Sequence, residues 1–442
     1  TATAATLPPP SPTSTGTALA ELLSMIAEVP EGSWVRANLN GFQDVWTPLE
    51  QRPYFYPNNP GLPSKVLGAW GSVAWDTNRG DLYAFGGGHA NYSGNEVYRW
   101  RGSTLRWERL SLPSEITQDA LANYMAIDGP NNAPPSAHTY DNNIYLPVID
   151  RFVAFGGAAY NNGGRWEMQV SGTTERPYGP FFFDQSRGDA NRVGGTTGSH
   201  VQRNPNLTGI VGGNMWENRD IFVNIPGGVN TEGVFRDGCT EYHQVNGKDV
   251  VYIAQTPSHG TGYRLYEYVV NDLANPALDT WRWIGREPLG TPGPFSNTAC
   301  GFDPNLNIFV RRGDKNRPFV YWDLSTAGPG NVEVNVVPQD PTGEFTVFIN
   351  GSLPPGAIGL TENLLSCGFE FDPTRRQYLM WCGDSSVWVL TPPATVSPNG
   401  WVIRRHRPPV GTPTPNGEVG VGILGKWRYA ANVDAFLGVQ DE

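Results

Sequence analysis

The sequence predicts an all-β fold, a β-propeller of seven blades, and three observations lead to it. Charged residues make up only 17% of the chain, while Gly (53) and Pro (39) are abundant, as expected for many short strands joined by turns. One unit recurs seven times, in which a strand, a tight polar turn and a second apolar strand end in or near glycine. The copies are 42 to 69 residues apart, a period typical of propellers and solenoids. They begin at Trp75, Tyr140, His200, Tyr242, Phe302, Phe371 and Tyr429.

The N-terminal 30 residues differ from the rest. Residues 1–16 are rich in Pro and Thr, so we expect an extended tail. Residues 17–29 predict one short amphipathic helix that ends before Pro30. Residues 1–30 are therefore interpreted as a docking segment, and residues 31–442 as the propeller.

Outer strands with an aromatic anchor follow most of the inner pairs, for example around Trp107, Trp281 and Trp401. A similar segment, Ser33–Arg36, lies near the N-terminus, whereas the chain ends in an inner pair without outer partners. We therefore expect the N-terminal strand to complete the last blade and close the ring, which removes exposed strand edges.

One stretch carries a family resemblance. It consists of Phe85-Gly86-Gly87-Gly88, then Asn95 to Trp100, then Trp107 to Leu110. This stretch resembles a kelch repeat over about 75 residues, and later copies keep only one glycine. The resemblance implies a kelch-type, galactose-oxidase-like propeller, a group that includes both enzymes and binding modules. The copper-binding residues that galactose oxidase would imply have no counterpart that we can place, and no cofactor is predicted.

Charge and cysteine content exclude several classes. A net charge of -11 argues against a nucleic-acid binder, and no apolar run is long enough for membrane insertion. No CxxC pair is present, which argues against structural zinc. Cys300 and Cys367 occupy equivalent places on neighbouring repeats, and we expect free buried thiols there. The cysteines do not decide the compartment.

Three histidines lie where inner strands begin: His138, His200 and His243. Together with Tyr242 they could act as acid and base or hold a metal of unknown identity. Asp237 and Glu241 are the nearest carboxylates. The alternative is that these polar residues fill the centre of the propeller and bond to one another.

A second candidate site is formed by loop and aromatic residues. The glycine-rich loop 86–96 carries His89, Tyr92 and Glu96, and the region after it is rich in aromatic residues and amides. Such side chains suit the stacking of sugar rings, although they equally suit turns and packing between blades. The predicted binding residues are His89, Tyr92, Glu96, Tyr160, Trp166 and Trp216.

Two functions follow. The favoured prediction, because no catalytic motif is present, is a non-catalytic binding or structural module of a larger assembly. A phage tail fibre or other virion appendage fits it, with residues 1–30 contacting a protein partner or neighbouring copy and the propeller contacting a surface glycan. The alternative is a secreted polysaccharide lyase or hydrolase that uses His138, His200, His243 and Tyr242. The predicted location is accordingly virion or extracellular.

Overall fold

The computed structural model describes most of the chain. The described residues are 18–53, 61–161, 163–196, 212–226, 235–255, 262–288, 297–351, 363–415 and 421–440.

Five antiparallel four-stranded sheets form the body of the fold. The first contains β1 (Ser72–Asp76), β2 (Asp81–Phe85), β3 (Tyr98–Arg101) and β4 (Arg106–Arg109). The second contains β8 (Asn143–Leu146), β9 (Arg151–Ala154), β13 (Phe181–Phe183) and β14 (Trp216–Asn218). The third contains β15 (Gly238–Val245), β16 (Lys248–Gln255), β17 (Arg264–Val269) and β18 (Thr280–Arg286). The fourth contains β19 (Cys300–Asp303), β20 (Ile308–Arg312), β21 (Phe319–Asp323) and β22 (Val334–Val336). The fifth contains β23 (Gly368–Asp372), β24 (Gln377–Trp381), β25 (Val387–Thr391) and β26 (Val402–His406).

Shorter elements complete the described structure. The two-stranded sheets pair β5 (Ile116–Gln118) with β6 (Tyr124–Ala126), β7 (Ala137–His138) with β10 (Ala158–Ala159), β11 (Glu167–Ser171) with β12 (Thr174–Pro177), and β27 (Trp427–Ala430) with β28 (Ala435–Gly438). The α-helices are α1 (Ala20–Ala27), α2 (Lys65–Gly68) and α3 (Glu344–Asn350). Short 3-10 helices span Phe42–Val45, Leu49–Gln51, Gln185–Arg187, Phe222–Asn224, Pro276–Leu278, Leu324–Thr326 and Asn363–Ser366.

The repeated aspartates explain the recurring inner hairpins. Asp76, Asp303 and Asp372 each end an innermost strand, and one carboxylate oxygen of each accepts the backbone N–H groups two and three residues later. The turn residues Gly80 and Asn307 adopt positive φ angles, at 76° and 53°. An aspartate at the first position therefore fixes the turn that the sequence repeat predicts.

The all-β propeller is confirmed, but the prediction of seven blades is wrong. The five four-stranded sheets and the final β27–β28 hairpin account for six of the seven sequence copies. The copy that begins at His200 falls largely outside the described residues. Its described end leads into β14, which is the outermost strand of the second sheet. The copy thus lies in the long connection between β13 and β14, two strands of the same blade, and does not add a blade of its own.

The N-terminal segment does not form the expected closing strand. Residues 33–38 have no strand pairing, although Trp34 packs its ring 5.0 Å from that of Trp381. Its Nε1 also donates to the carbonyl oxygen of Ser385 over 2.8 Å. The contact with the fifth sheet is therefore made by a side chain and not by backbone pairing.

The predicted N-terminal helix forms as α1, and it packs on the propeller. Leu19 and Leu22 are 1% and 2% exposed and belong to the same apolar cluster as Trp75 and Trp100 of the first sheet. Residues 1–17 lie outside the described residues. A role of residues 1–30 in binding another chain stays a prediction.

The core lies between successive sheets. Tyr83 of the first sheet stacks on Tyr145 of the second, and Phe319 of the fourth packs against Phe369 of the fifth, with ring centroids 6.0 and 5.6 Å apart. Large aromatic side chains fill the wedge between twisted sheets, which accounts for their abundance. No helix in the described part of the chain is long and apolar enough to cross a membrane.

All four cysteines form disulfides, so the expectation of free thiols is wrong. Cys239 is bonded to Cys300, with Cα atoms 5.9 Å apart, and Cys367 is bonded to Cys382, with Cα atoms 4.2 Å apart. The first bridge joins the innermost strands of two neighbouring sheets. The second closes the open end of the β23–β24 hairpin. Two disulfides are consistent with an extracellular protein.

Candidate functional site: an acidic cluster on the innermost strands

Charged side chains from four innermost segments meet at the centre of the propeller. Asp141 lies just before β8, Glu241 lies on β15, Glu370 on β23 and Arg428 on β27. These segments come together because Asp141 forms a parallel bridge with Cys239, and because the carbonyl oxygen of Asp141 accepts the N–H of Thr240 over 3.1 Å. We call Asp141, Glu241, Glu370 and Arg428 the acidic cluster.

Arg428 is the cation that holds the acidic cluster together. One of its terminal nitrogens lies 2.5 Å from Oδ1 of Asp141, and the other lies 3.6 Å from Oε2 of Glu370. Its Nε donates to the carbonyl oxygen of Val73, so the guanidinium is also anchored to the first sheet. The charge of Glu241 also acts on Arg428. One arginine therefore serves three carboxyl groups, and the cluster cannot be fully ionised without repulsion.

Burial and repulsion shift the acidic groups towards neutral pH. Burial raises the pKa of Asp141 to about 6, against the lowering effect of Arg428. Burial also raises the pKa of Glu370 to about 7, again opposed by Arg428. The pKa of Glu241 rises well above its ordinary value, first through burial and then through the charge of Glu370. The charge of Asp141 adds to the rise at Glu370, so the carboxyl groups of the acidic cluster act on one another.

The two glutamates are less deeply buried than the aspartate. Asp141 is 1% exposed, whereas the side chain of Glu370 is 16% exposed and Glu241 is half-buried. Oε1 of Glu241 and Oε2 of Glu370 are both covered, and neither has a hydrogen-bond partner among the described residues. Asp141 thus serves mainly to fix Arg428, while each glutamate keeps one oxygen that the described residues leave without a hydrogen bond.

Asp141 also lies beside the Cys239–Cys300 disulfide, with its oxygen within 4.8 Å of both sulfur atoms. Because the sulfurs are bonded to each other, they offer no thiolates to a metal ion. In this structure Asp141, Cys239 and Cys300 therefore form a carboxylate next to a disulfide, and not a group of metal ligands.

The predicted histidines are not assembled as one group. The ring of His138 packs 5.2 Å from that of His89, and one ring nitrogen lies 2.7 Å from the side-chain amide of Asn91. Burial lowers the pKa of His138 to about 3. His243 lies on the second half of β15, with its ring 4.7 Å from that of Phe302. His200 lies outside the described residues.

Tyr242 and the predicted loop residues occupy other surroundings. Tyr242 is half-buried, and burial raises its pKa, with a further rise from the charge of Asp249. Tyr92 and Glu96 are 0% and 1% exposed, and Oε1 of Glu96 accepts the hydroxyl groups of Tyr92, Tyr98 and Thr47 over 2.6 to 2.8 Å. In this structure Glu96 therefore ties the N-terminal segment to the first sheet.

The three predicted aromatic binding residues are buried. Tyr160, Trp166 and Trp216 are 4%, 2% and 6% exposed. Trp216 also lines a cavity of 250 Å³ together with Arg151, Asp184 and Arg187, on the outer part of the second sheet. This cavity lies on different strands from the acidic cluster, and its two arginines are both paired with Asp184. Sugar binding by these residues stays a prediction.

Sequence reasoning named Glu241 only as a carboxylate near the histidines, and it missed Asp141, Glu370 and Arg428 as a group. A signal was present, because each of these residues lies at or near the start of an inner strand copy. These residues come together through contacts between sheets, and the sequence repeat alone does not show how the sheets are aligned.

Comparisons with known proteins give only distant matches. No protein-family model and no curated protein matches the chain. Among solved structures, an α-L-arabinofuranosidase of Fusarium graminearum is 10% identical, with a TM-score of 0.35, over 77% of this chain and 82% of the other. The same enzyme with arabinobiose is 11% identical, with a TM-score of 0.34, over 80% and 84%. A Penicillium chrysogenum α-L-arabinanase with arabinobiose is 10% identical, with a TM-score of 0.32, over 77% and 82%.

These likenesses are too low to argue for any particular substrate or reaction, and none of the structures named above is identified as a kelch protein. The structures named above are glycoside hydrolases and not virion components, which goes against the favoured prediction. The prediction of a non-catalytic tail-fibre or virion module, and with it the leaning against an enzyme, is wrong. An extracellular location is consistent with the two disulfides, and a virion location is not supported.

Proposed function

We propose that the chain is an extracellular enzyme that hydrolyses glycosidic bonds of a polysaccharide at the acidic cluster. The observation that carries the proposal is that Arg428 pairs with Asp141 and Glu370 and also feels the charge of Glu241, while one oxygen of each glutamate has no hydrogen-bond partner among the described residues. Cleavage of a glycosidic bond needs one carboxyl group that keeps its proton near neutral pH and a second that is ionised. Glu241, whose pKa is raised well above its ordinary value, keeps its proton, and Arg428 favours the ionised form of Glu370.

The roles follow from the charges around each group. Glu241 has the free Oε1 and the stronger pressure to stay protonated, so it donates a proton to the oxygen of the leaving sugar. Glu370 lies near Arg428, which favours its ionised form, so it removes a proton from the attacking water. Asp141 stays next to Arg428 and positions that guanidinium between the acids.

The test is turnover by Glu241→Gln and Glu370→Gln on a panel of neutral and acidic polysaccharides, with release of reducing ends as the readout. Each variant should lose about 100-fold or more of kcat, because a general acid or base contributes that much. Asp303→Asn is the matched control, since Asp303 is also a buried carboxylate on an innermost strand but holds only its own turn. Turnover retained by both glutamine variants, on a substrate that the wild type cleaves, would exclude this site.

A further inference from the structure

Five side chains surround the end of the propeller at which the innermost strands begin. Trp70 precedes β1, Tyr140 precedes β8 and Arg236 precedes β15, while His138 and His89 lie between them. The ring of His138 lies 4.9 Å from that of Trp70, 5.2 Å from His89 and 6.2 Å from Tyr140. We call these five residues the entrance ring.

The entrance ring lies next to the acidic cluster. Tyr140 immediately precedes Asp141, and Arg236 lies five residues before Glu241 on the same segment. The parallel bridge between Asp141 and Cys239 shows that the two segments run in the same direction. A molecule that reaches the glutamates from this end would therefore pass the entrance ring.

The position of Arg236 is fixed by its neighbour. Phe235 has a positive φ angle of 61° and stacks on Phe222, with ring centroids 4.1 Å apart. Its carbonyl oxygen accepts the N–H of Gly157 over 2.7 Å. These contacts hold the backbone so that the charge of Arg236 acts on His89 and Tyr140. Burial lowers the pKa of His89 and Arg236 adds to this, whereas burial raises the pKa of Tyr140 and Arg236 opposes the rise.

Several polar atoms of the entrance ring are covered and unpaired. Nε1 of Trp70, Nδ1 of His89 and Nε of Arg236 have no hydrogen-bond partner among the described residues. Arg236 also forms no ion pair with any described carboxylate, although it is half-buried. Buried polar groups are nearly always satisfied, so three unpaired nitrogens in one ring indicate the place of a ligand with many oxygens.

Charge decides what kind of ligand fits. Burial lowers the pKa of both His89 and His138, so both rings are neutral near pH 7. Arg236 is then the one cation within the entrance ring. An unpaired guanidinium matches a carboxylate through two parallel hydrogen bonds, and indole or phenol rings pack on the C–H face of a sugar.

We propose that the entrance ring binds a uronic acid unit of the polysaccharide, with Arg236 pairing its carboxylate and Trp70 packing on its ring. Nδ1 of His89 and Nε1 of Trp70 then contact its hydroxyl groups. The proposal rests on the proposed function, since it assigns the substrate class of the same site.

The experiment measures binding to the inactive Glu370→Gln protein by calorimetry. The probes are trimers of galacturonate, glucuronate and mannuronate, each compared with its carboxyl-reduced form. At least one uronate trimer should bind roughly 30-fold or more tightly than its reduced form, because a charged pair is lost on reduction. Adding Arg236→Gln should remove that difference and leave the affinity for the reduced trimer unchanged. Arg282→Gln is the matched control, since Arg282 is an exposed arginine in the same sheet that pairs with Glu267.

Equal binding of every uronate trimer and its reduced form would overturn the proposal, as would a preference that survives Arg236→Gln. A different result is expected if the proposed function is wrong but the uronic acid site is real. In that case the preference for the uronate would depend on Arg236, yet the Glu241→Gln and Glu370→Gln variants would still cleave the substrate.

Discussion

Replacement of Glu370 by glutamine should make the protein more stable at alkaline pH. The folded protein raises the pKa of this carboxyl group from 4.5 to about 7, chiefly by burial. A raised carboxyl pKa means that the folded state holds a proton that the unfolded chain releases. The stability from this group is therefore fully present below about pH 4.5, and it is lost as the pH rises through 7.

The size of the effect follows from the shift in pKa. A rise from 4.5 to about 7 corresponds to a loss of about 3 kcal/mol at pH 8, at about 1.4 kcal/mol for each pKa unit. Glutamine keeps the shape and carries no charge. The free energy of unfolding should thus be similar for wild type and Glu370→Gln at pH 4.5, and the variant should exceed the wild type by about 3 kcal/mol at pH 8.

The assay is guanidinium unfolding followed by tryptophan fluorescence, at intervals from pH 4.5 to pH 8. The control is Glu267→Gln, because Glu267 pairs with the exposed Arg282 and should contribute less than about 1 kcal/mol at any pH. Parallel curves for wild type and Glu370→Gln across this range would refute the reasoning. The glutamate would then be hydrated or paired well enough to titrate normally, and its role as a base near neutral pH would lose its support.

Two further predictions concern His138 and the disulfides. Burial lowers the pKa of His138 from 6.5 to about 3, so its contribution to stability is present above pH 6.5 and is lost as the pH falls, by about 3 kcal/mol at pH 4. The melting temperature of His138→Asn should consequently fall less than that of the wild type between pH 7 and pH 4; an equal fall would show that the imidazole is not held neutral. Loss of the Cys367–Cys382 bridge, which spans 15 residues, should lower the free energy of unfolding by about 3 kcal/mol, and loss of Cys239–Cys300, which spans 61, by about 4 kcal/mol. Double serine variants measured by chemical unfolding check this order, and no change on removing either bridge would contradict it.

The Cys367–Cys382 disulfide could have been predicted from the sequence. The β23–β24 hairpin pairs Gly368 with Trp381, so the next pair outward is Cys367 with Cys382. Once the repeat had placed the turn after Asp372, counting outward from it would have found the bridge. The Cys239–Cys300 disulfide could not have been predicted in this way. The two cysteines lie on different sheets, and no local sequence pattern shows how neighbouring sheets are aligned.

The sequence by itself determined the fold class and the inner hairpins. Alternating apolar residues, glycines and turn-forming aspartates are local signals, and they act within one or two turns of chain. These local signals gave a wrong prediction where a long connection within one blade carried the same residues, as in the segment that ends at β14. The predicted number of blades was wrong for that reason.

Only the tertiary structure decided the composition of the site. Asp141, Glu241, Glu370 and Arg428 are spread over 288 positions of the chain, and each alone is an ordinary polar residue at a strand start. Their chemistry arises from being brought together in a place with little water, where one guanidinium must serve three carboxyl groups. Desolvation and charge repulsion depend on distance in space, so no local pattern in the sequence could reveal them.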